Sequence, residues 1–174
     1  MTEDVMRRFN INGYDKGFTL IELMVTIAVA AIAISIAVPA FTGLIESTKE
    51  RAARDLLVSS VYAAKQQAQS KSVNVYLCAT DDGSTCASTW GSDWLVYEDN
   101  DGSTTLNADD IIVSKLTSKI LEIQSSSAQI SFTPTGHAIA NTFRVCSNTD
   151  QSIVYQIELS RMGRISYTTA TGDC

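Results

Sequence analysis

Residues 1–17 are predominantly polar, and an apolar run then extends from Phe18 to Val38 with one charge, Glu22, near its start. About 20 apolar residues at a rise of 1.5 Å each span a bilayer as a helix. Past Pro39 the apolar positions thin out but keep a helical period. Ile45, Ala52 and Leu56 lie on one side, and Leu57, Val61, Ala64 and Ala68 recur at three- and four-residue spacing. The pattern predicts one helix from about Thr19 to Lys71, roughly 80 Å at the standard rise. Pro39 sits inside it and Gly43 follows. Proline lacks the amide hydrogen that the ladder needs, so a kink or local melting is expected there. Glu50 with Arg54 and Arg51 with Asp55 stand at i,i+4 on the outer face, each pair worth a few tenths of a kcal/mol.

From Val73 the period changes to two. Val73, Val75 and Leu77 alternate with Asn74, Tyr76 and Cys78, and Ile153, Tyr155, Ile157 and Leu159 alternate more cleanly still. Trp94–Glu98, Ile111–Lys115, Lys119–Ile123, Gln129–Thr133, Thr142–Cys146 and Arg164–Thr168 are further strand candidates. Short strands in series with Ser, Thr, Asp and Gly between them predict antiparallel sheets. The expected class is α+β: a long amino-terminal helix whose second half buries its apolar stripe on a β-rich head. The segments read as 1–17 leader, 18–38 membrane or filament-core helix, 39–71 amphipathic half of that helix, and 72–174 head.

The leader argues against an ordinary secretory signal, which has a shorter apolar core followed by a small-residue cleavage site. Arg7, Arg8 and Lys16 in the leader would hold it in the cytoplasm. The head would then face an oxidising compartment, where disulfides persist. Four cysteines, Cys78, Cys86, Cys146 and Cys174, all follow the apolar run. Four allow three pairings. The preferred pair is Cys78–Cys86, closing a short loop, with Cys146–Cys174 tying down the carboxyl terminus; free buried thiols at Cys78 and Cys146 are the alternative. The chain of 174 residues carries a formal charge of −6, which leaves room for one modest head beyond the stalk.

Gly17-Phe18-Thr19-Leu20-Ile21-Glu22-Leu23-Met24-Val25 resembles the class III signal of type IV pilins and secretion pseudopilins. That resemblance implies cleavage by a prepilin peptidase between Gly17 and Phe18, and methylation of the new amino terminus at Phe18. It also makes Glu22 the acid that sets axial register by pairing with the terminal amine of an adjoining subunit. A carboxylate in an apolar segment is costly unless paired, so such a partner favours one docking position. Pro39 matches a proline that many pilins carry at this distance from the mature end.

The rest of the chain resembles the GspH/FimT group of minor pilins and pseudopilins. Leu77-Cys78 ends the first strand. Trp94-Leu95-Val96-Tyr97-Glu98-Asp99-Asn100-Asp101-Gly102 looks like the group's GWLVF-D-N-G stretch, although Ser92-Asp93 stands where a glycine is frequent. Phe132-Thr133-Pro134-Thr135-Gly136 looks like its F-x-P-x-G, Phe143-Arg144-Val145-Cys146 like its F-x-x-C, and Ser160-Arg161-Met162-Gly163-Arg164-Ile165 like its S-x-x-G-R-V. Within the group, FimT and FimU belong to type IV pili and GspH to type II secretion, and the cysteine arrangement leans towards the pilus. The resemblance implies a minor subunit near a filament tip that helps initiate assembly. Its partners would be other minor pilins, the major pilin, the prepilin peptidase and an inner-membrane assembly platform. No cofactor is implied. The subunit would begin in the inner membrane with a periplasmic head and end in an extracellular pilus.

Other functions leave weaker marks. Some FimT-type pilins bind DNA for transformation through a basic Gly-Arg-x-Arg. Here the aligned residues are Gly163-Arg164-Ile165-Ser166, without the second arginine. Arg144 and Arg161, with Lys115 and Lys119, could supply charge, yet the chain is acidic overall and DNA binding needs clustered cations. Glu98, Asp99, Asp101, Asp109 and Asp110 crowd one segment around Gly102; the plain reading is an acidic turn with Asp-Gly supplying the bend and no metal, and the lesser one is a calcium site with Asp99, Asp101 and Asp109 as candidate ligands. EF-hand spacing fails there, because Tyr97 and Ala108 would fall at the two end ligand positions. His137 is the only histidine and has no nucleophile motif beside it, so no enzyme activity is expected. Trp90, Trp94 and Tyr97 read as core or sheet-face residues and not as a ligand platform; Trp90, among Ser, Thr and Gly, is the least clear of them, and exposure there would mark a contact with a neighbouring subunit.

Overall fold

The computed structural model describes residues 17–118, 121–147 and 150–174, apart from the side chains at 39 and 40. Helix α1 spans Leu20–Lys71 and is followed by β1 Asn74–Ala79, β2 Asp93–Asp99, β3 Ile111–Thr117, β4 Glu122–Ser125, β5 Gln129–Phe132, β6 Asn141–Cys146, β7 Ile153–Leu159 and β8 Ile165–Thr169. The chain divides into two compact units at Gly43/Leu44. In the first, α1 is helical through Pro39 and on to Gly43, so no melted turn is present there. Its apolar side chains from Leu20 to Val38 are exposed throughout.

The second unit holds two four-stranded sheets, ordered β3-β2-β1-β5 and β4-β6-β7-β8, and every pairing is antiparallel. Ala53, Leu57, Val61, Ala64 and Ala68 on α1 share one core with Val75 and Leu77 of β1, Trp94 and Val96 of β2, Phe132 of β5, Phe143 and Val145 of β6, and Ile157 of β7. The buried stripe thus starts at Ala53. Ala52 is exposed and Ile45 half exposed, so the neighbouring row of the helix is not the packing face. Trp94 Nε1 donates to the buried Ser60 Oγ at 3.0 Å and ties the first sheet to the helix. Ser72, at φ 59°, takes the left-handed conformation that commonly stops a helix and turns the chain into β1.

Packing decides what spacing leaves open. Tyr76 and Cys78 alternate with the core residues Val75 and Leu77 and so lie on the opposite face of β1, yet both are buried. A second apolar cluster covers that face, made of Tyr76, Cys78, Leu95 and Tyr97, with Cys86, Leu106 and Ile112 packed against it. Arg54 does not pair with Glu50. It bonds Asp55 at 2.8 Å, and its guanidinium lies over Tyr155 and Tyr167 at 4.8 and 4.5 Å from the ring centroids. Two aromatic faces hold the cation better than a mobile glutamate on the same helix surface. Trp90 is buried, as the core reading has it, donating Nε1 to the Ser127 and Ala128 carbonyls and meeting Phe143 edge-on, which leaves no exposed aromatic contact at this position. The strand expected over Lys119–Ile123 begins at Glu122, and Lys119 and Ile120 lie outside the described residues.

Candidate functional site

The amino-terminal site is built from the first turn of α1. Gly17 and Phe18 are both exposed. The Glu22 amide donates to Thr19 Oγ1 at 3.3 Å, while Glu22 Oε2 accepts from the Thr19 hydroxyl at 3.2 Å and the Thr19 amide at 3.4 Å. This is a reciprocal capping box, Thr at the cap and Glu three residues on. The carboxylate also sits where the helix dipole favours negative charge. The Thr-x-x-Glu spacing of Thr19 and Glu22 is the signal in the sequence that carries this arrangement. The contacts are long for charge-assisted bonds. Leader residues Arg7, Arg8 and Lys16 lie outside the described residues.

Two of the motif turns converge on α1. Gly136, in the turn after β5, and Gly163, in the turn between β7 and β8, are at φ 83° and 67°. A β-carbon on Gly163 would stand 2.8 Å from the Gly136 carbonyl oxygen and 2.8 Å from Lys65 Nζ. Lys65 Nζ donates to the carbonyls of Met162 at 3.1 Å and Gly163 at 3.3 Å. The F-x-P-x-G and S-x-x-G-R stretches therefore keep glycine where backbone packs on backbone next to the helix. Gln67 donates to Glu98 in the same manner, joining α1 to β2. Disulfides link Cys78 to Cys86 and Cys146 to Cys174, over 8 and 28 residues. The second holds the carboxyl terminus beside the end of β6.

The basic candidates are partly gathered. Arg144 points outward from β6 between Gln124 of β4 and Gln156 of β7 in the register. Arg164 lines a shallow cavity of about 310 Å³ with Ser126, Thr142, Glu158 and Ser166. Arg144 lines a smaller neighbouring one that shares Ser126 and Thr142. Arg161 is exposed in the β7–β8 turn and lines neither. Glu158 intrudes between the two arginines on the same sheet face. Lys115 points away, its chain against Gly83 on the other sheet, and Lys119 lies outside the described residues. His137 is exposed, with Nδ1 2.9 Å from Thr135 Oγ1.

The acidic segment after β2 is more compact. Asp99, Asp101 and Asp110 bring carboxylate oxygens within 4.8 Å of one another. Asp109 is not among them; its exposed position lies one residue off, and Asp110 takes its place. The Ser103 amide and hydroxyl hold the Asp101 carboxyl below the usual carboxylate range, helped by Asn107. Burial pushes the Tyr97 phenol well above its ordinary value, with Tyr76 and Asp110 adding to it.

A family model described as type II transport protein GspH matches residues 53–163. One described as the prokaryotic N-terminal methylation motif matches residues 13–38. No curated protein matches the chain significantly. Among solved structures, the type IV minor pilin FimU of Pseudomonas aeruginosa in space group P21 aligns with a TM-score of 0.57 at 16% identity, over 74% of this chain and 96% of that one. A second FimU crystal form, in space group P65, gives 0.53 at 17% identity, over 70% and 96%. The minor pseudopilin EpsH of the Vibrio cholerae type 2 secretion system gives 0.50 at 8% identity, over 70% and 97%. At these identities the likeness is one of fold: a long amino-terminal helix on an antiparallel two-sheet head.

Proposed function

This chain belongs to the GspH family, and from that premise we propose that it is a minor pilin of a type IV pilus that helps initiate assembly and sits at or near the filament tip. The family consists of structural subunits of pili and type II secretion systems, and the methylation motif on an apolar helix goes with membrane anchoring. One observation carries the reading: the helix from Leu20 to Val38 exposes apolar side chains all round and opens on the Thr19–Glu22 box. A face of that kind is covered only by lipid or by other helices of its own sort.

In this account a prepilin peptidase cuts between Gly17 and Phe18 and Phe18 is methylated. Segment 18–38 then holds the subunit in the inner membrane, with the head in the periplasm. An assembly platform transfers it into the fibre with other minor pilins and the major pilin. Glu22 exchanges its long bonds to Thr19 for the cationic amine of a neighbouring subunit, a stronger charge-assisted partner in low dielectric. Pro39, with no amide hydrogen, is where the helix bends or loosens on entry. The FimU likeness and the two disulfides favour a pilus; a pseudopilin in type II secretion is the other outcome. Deleting the gene should reduce filament number, and Glu22→Ala should insert in the membrane normally while recruitment into sheared filaments falls. Undiminished recruitment of the variant would reject the role given to Glu22.

DNA capture is a second reading, supported by the placement of Arg144 and Arg164 at two neighbouring cavities that share Ser126 and Thr142, with Glu158 at one of them counting against it. Gel shifts at low salt test it. Retardation lost in the Arg144→Ala/Arg164→Ala variant supports it, and none in the wild type disposes of it.

A further inference from the structure

We propose that the connection between β2 and β3 is a calcium site, with Asp99, Asp101 and Asp110 as its carboxylate ligands. The period of two along β2 places Leu95, Tyr97 and Asp99 on the outward face of the first sheet. Leu95 and Tyr97 are buried in the small apolar cluster there, and Asp99 follows them, only 5% exposed. Its Oδ1 accepts the Gly102 amide at 2.8 Å. Its Oδ2 is wholly buried and has no hydrogen-bond donor, the one such side-chain atom among the described residues. A buried carboxylate oxygen left without a partner is expensive, and native structures supply a donor, a water or an ion.

What lies near that orphaned carboxylate are two more of the same sign. Asp101 and Asp110 bring oxygens within 4.8 Å of it and of each other. None of the three forms an ion pair among the described residues. Like charges at that range repel, and the fold nevertheless holds them there. The Asn100 and Asn107 amides pin Asp110 at 3.1 and 3.0 Å, and the Ser103 amide pins Asp101 at 2.8 Å. A divalent cation coordinated by the Asp99 carboxylate and its two neighbours would offset two of the three negative charges.

The donor set selects the ion. Calcium takes six to eight oxygen ligands at about 2.3–2.6 Å in flexible geometry, whereas magnesium demands a near-ideal octahedron at about 2.0–2.1 Å and gives up its water reluctantly. All-oxygen carboxylate ligands disfavour the softer transition metals. Water supplies the remaining calcium positions on the exposed Asp101 side.

The test uses the full chain in detergent micelles, stripped with a chelator and titrated calorimetrically with calcium chloride or magnesium chloride. Saturable uptake of one calcium per chain is expected, at least tenfold tighter than magnesium, with a melting midpoint several degrees higher in calcium than in chelator. Asp101→Asn, at an exposed position, keeps the fold by circular dichroism and loses at least tenfold in calcium affinity, whereas Asp109→Asn binds as the wild type does. A midpoint indifferent to calcium and chelator, equal affinity for magnesium, or undiminished binding by Asp101→Asn overturns the assignment.

Discussion

Gly163 is the position where a single methyl group should do the most damage outside the main core. Its φ of 67° is one that an L side chain adopts at a cost of about 1–2 kcal/mol. The added β-carbon would also stand 2.8 Å from the Gly136 carbonyl oxygen, a backbone atom that cannot rotate away. It would crowd Lys65 Cδ at 3.0 Å and Nζ at 2.8 Å and displace the ammonium from the Met162 and Gly163 carbonyls. Those bonds are partly solvated, so their loss is worth about 1 kcal/mol. Gly163→Ala should therefore destabilise the head by about 2–3 kcal/mol, read as a shift of the denaturant midpoint at unchanged slope. Gly91→Ala is the matched control, because nothing lies within 4 Å of its β-carbon and its φ is ordinary; it should stay within about 0.5 kcal/mol. Lys65→Ala alone should cost less than Gly163→Ala, and the double variant should fall short of the sum, since both remove the same bonds. Equal midpoints for Gly163→Ala and Gly91→Ala would refute the claim that the two motif turns are glycine because they dock on the helix.

Other perturbations test other parts. Leu57→Ala, at a fully buried position where α1 meets the shared core, should cost about 2–5 kcal/mol by thermal or chemical melting. Removing the bridge over 28 residues with Cys146→Ala/Cys174→Ala should cost about 3 kcal/mol and speed proteolysis of the carboxyl terminus. Tyr97 and Tyr76 are both pushed above the ordinary phenol value of 10.0, by burial first. The protonated forms are the ones favoured by folding. Their contribution is complete below about pH 10 and is lost as the pH rises towards the elevated values. Melting midpoints should therefore fall above pH 10, and fall less steeply in Tyr97→Phe; parallel curves would contradict this.

The helix and most of the strands were legible because one period dominates each segment. A stripe at three- and four-residue spacing runs to Ala68 in a helix that ends at Lys71, and β1 begins at Asn74. What failed were features decided between segments. The burial of Tyr76 and Cys78 depends on Leu106, in the connection some thirty residues away, and on Cys86 and the β3 residue Ile112, and no local pattern announces it. Arg54 was assigned to Glu50 because i,i+4 spacing is local, while its aromatic partners arrive from β7 and β8. The acidic cluster was visible as composition, but the choice of Asp110 over Asp109 follows from where the turn points each carboxylate. The Thr19–Glu22 box was readable from spacing alone, masked by the attention that Glu22 draws as an isolated charge.

The central claim is that this chain loses its leader and enters a fibre by its apolar helix. Mass spectrometry of the amino-terminal peptide from sheared, purified filaments tests it most directly. The account predicts a peptide that begins at Phe18, carries one added methyl group and is found in the filament fraction. A chain that keeps Met1, or one that starts at Phe18 but never leaves the membrane fraction, contradicts it.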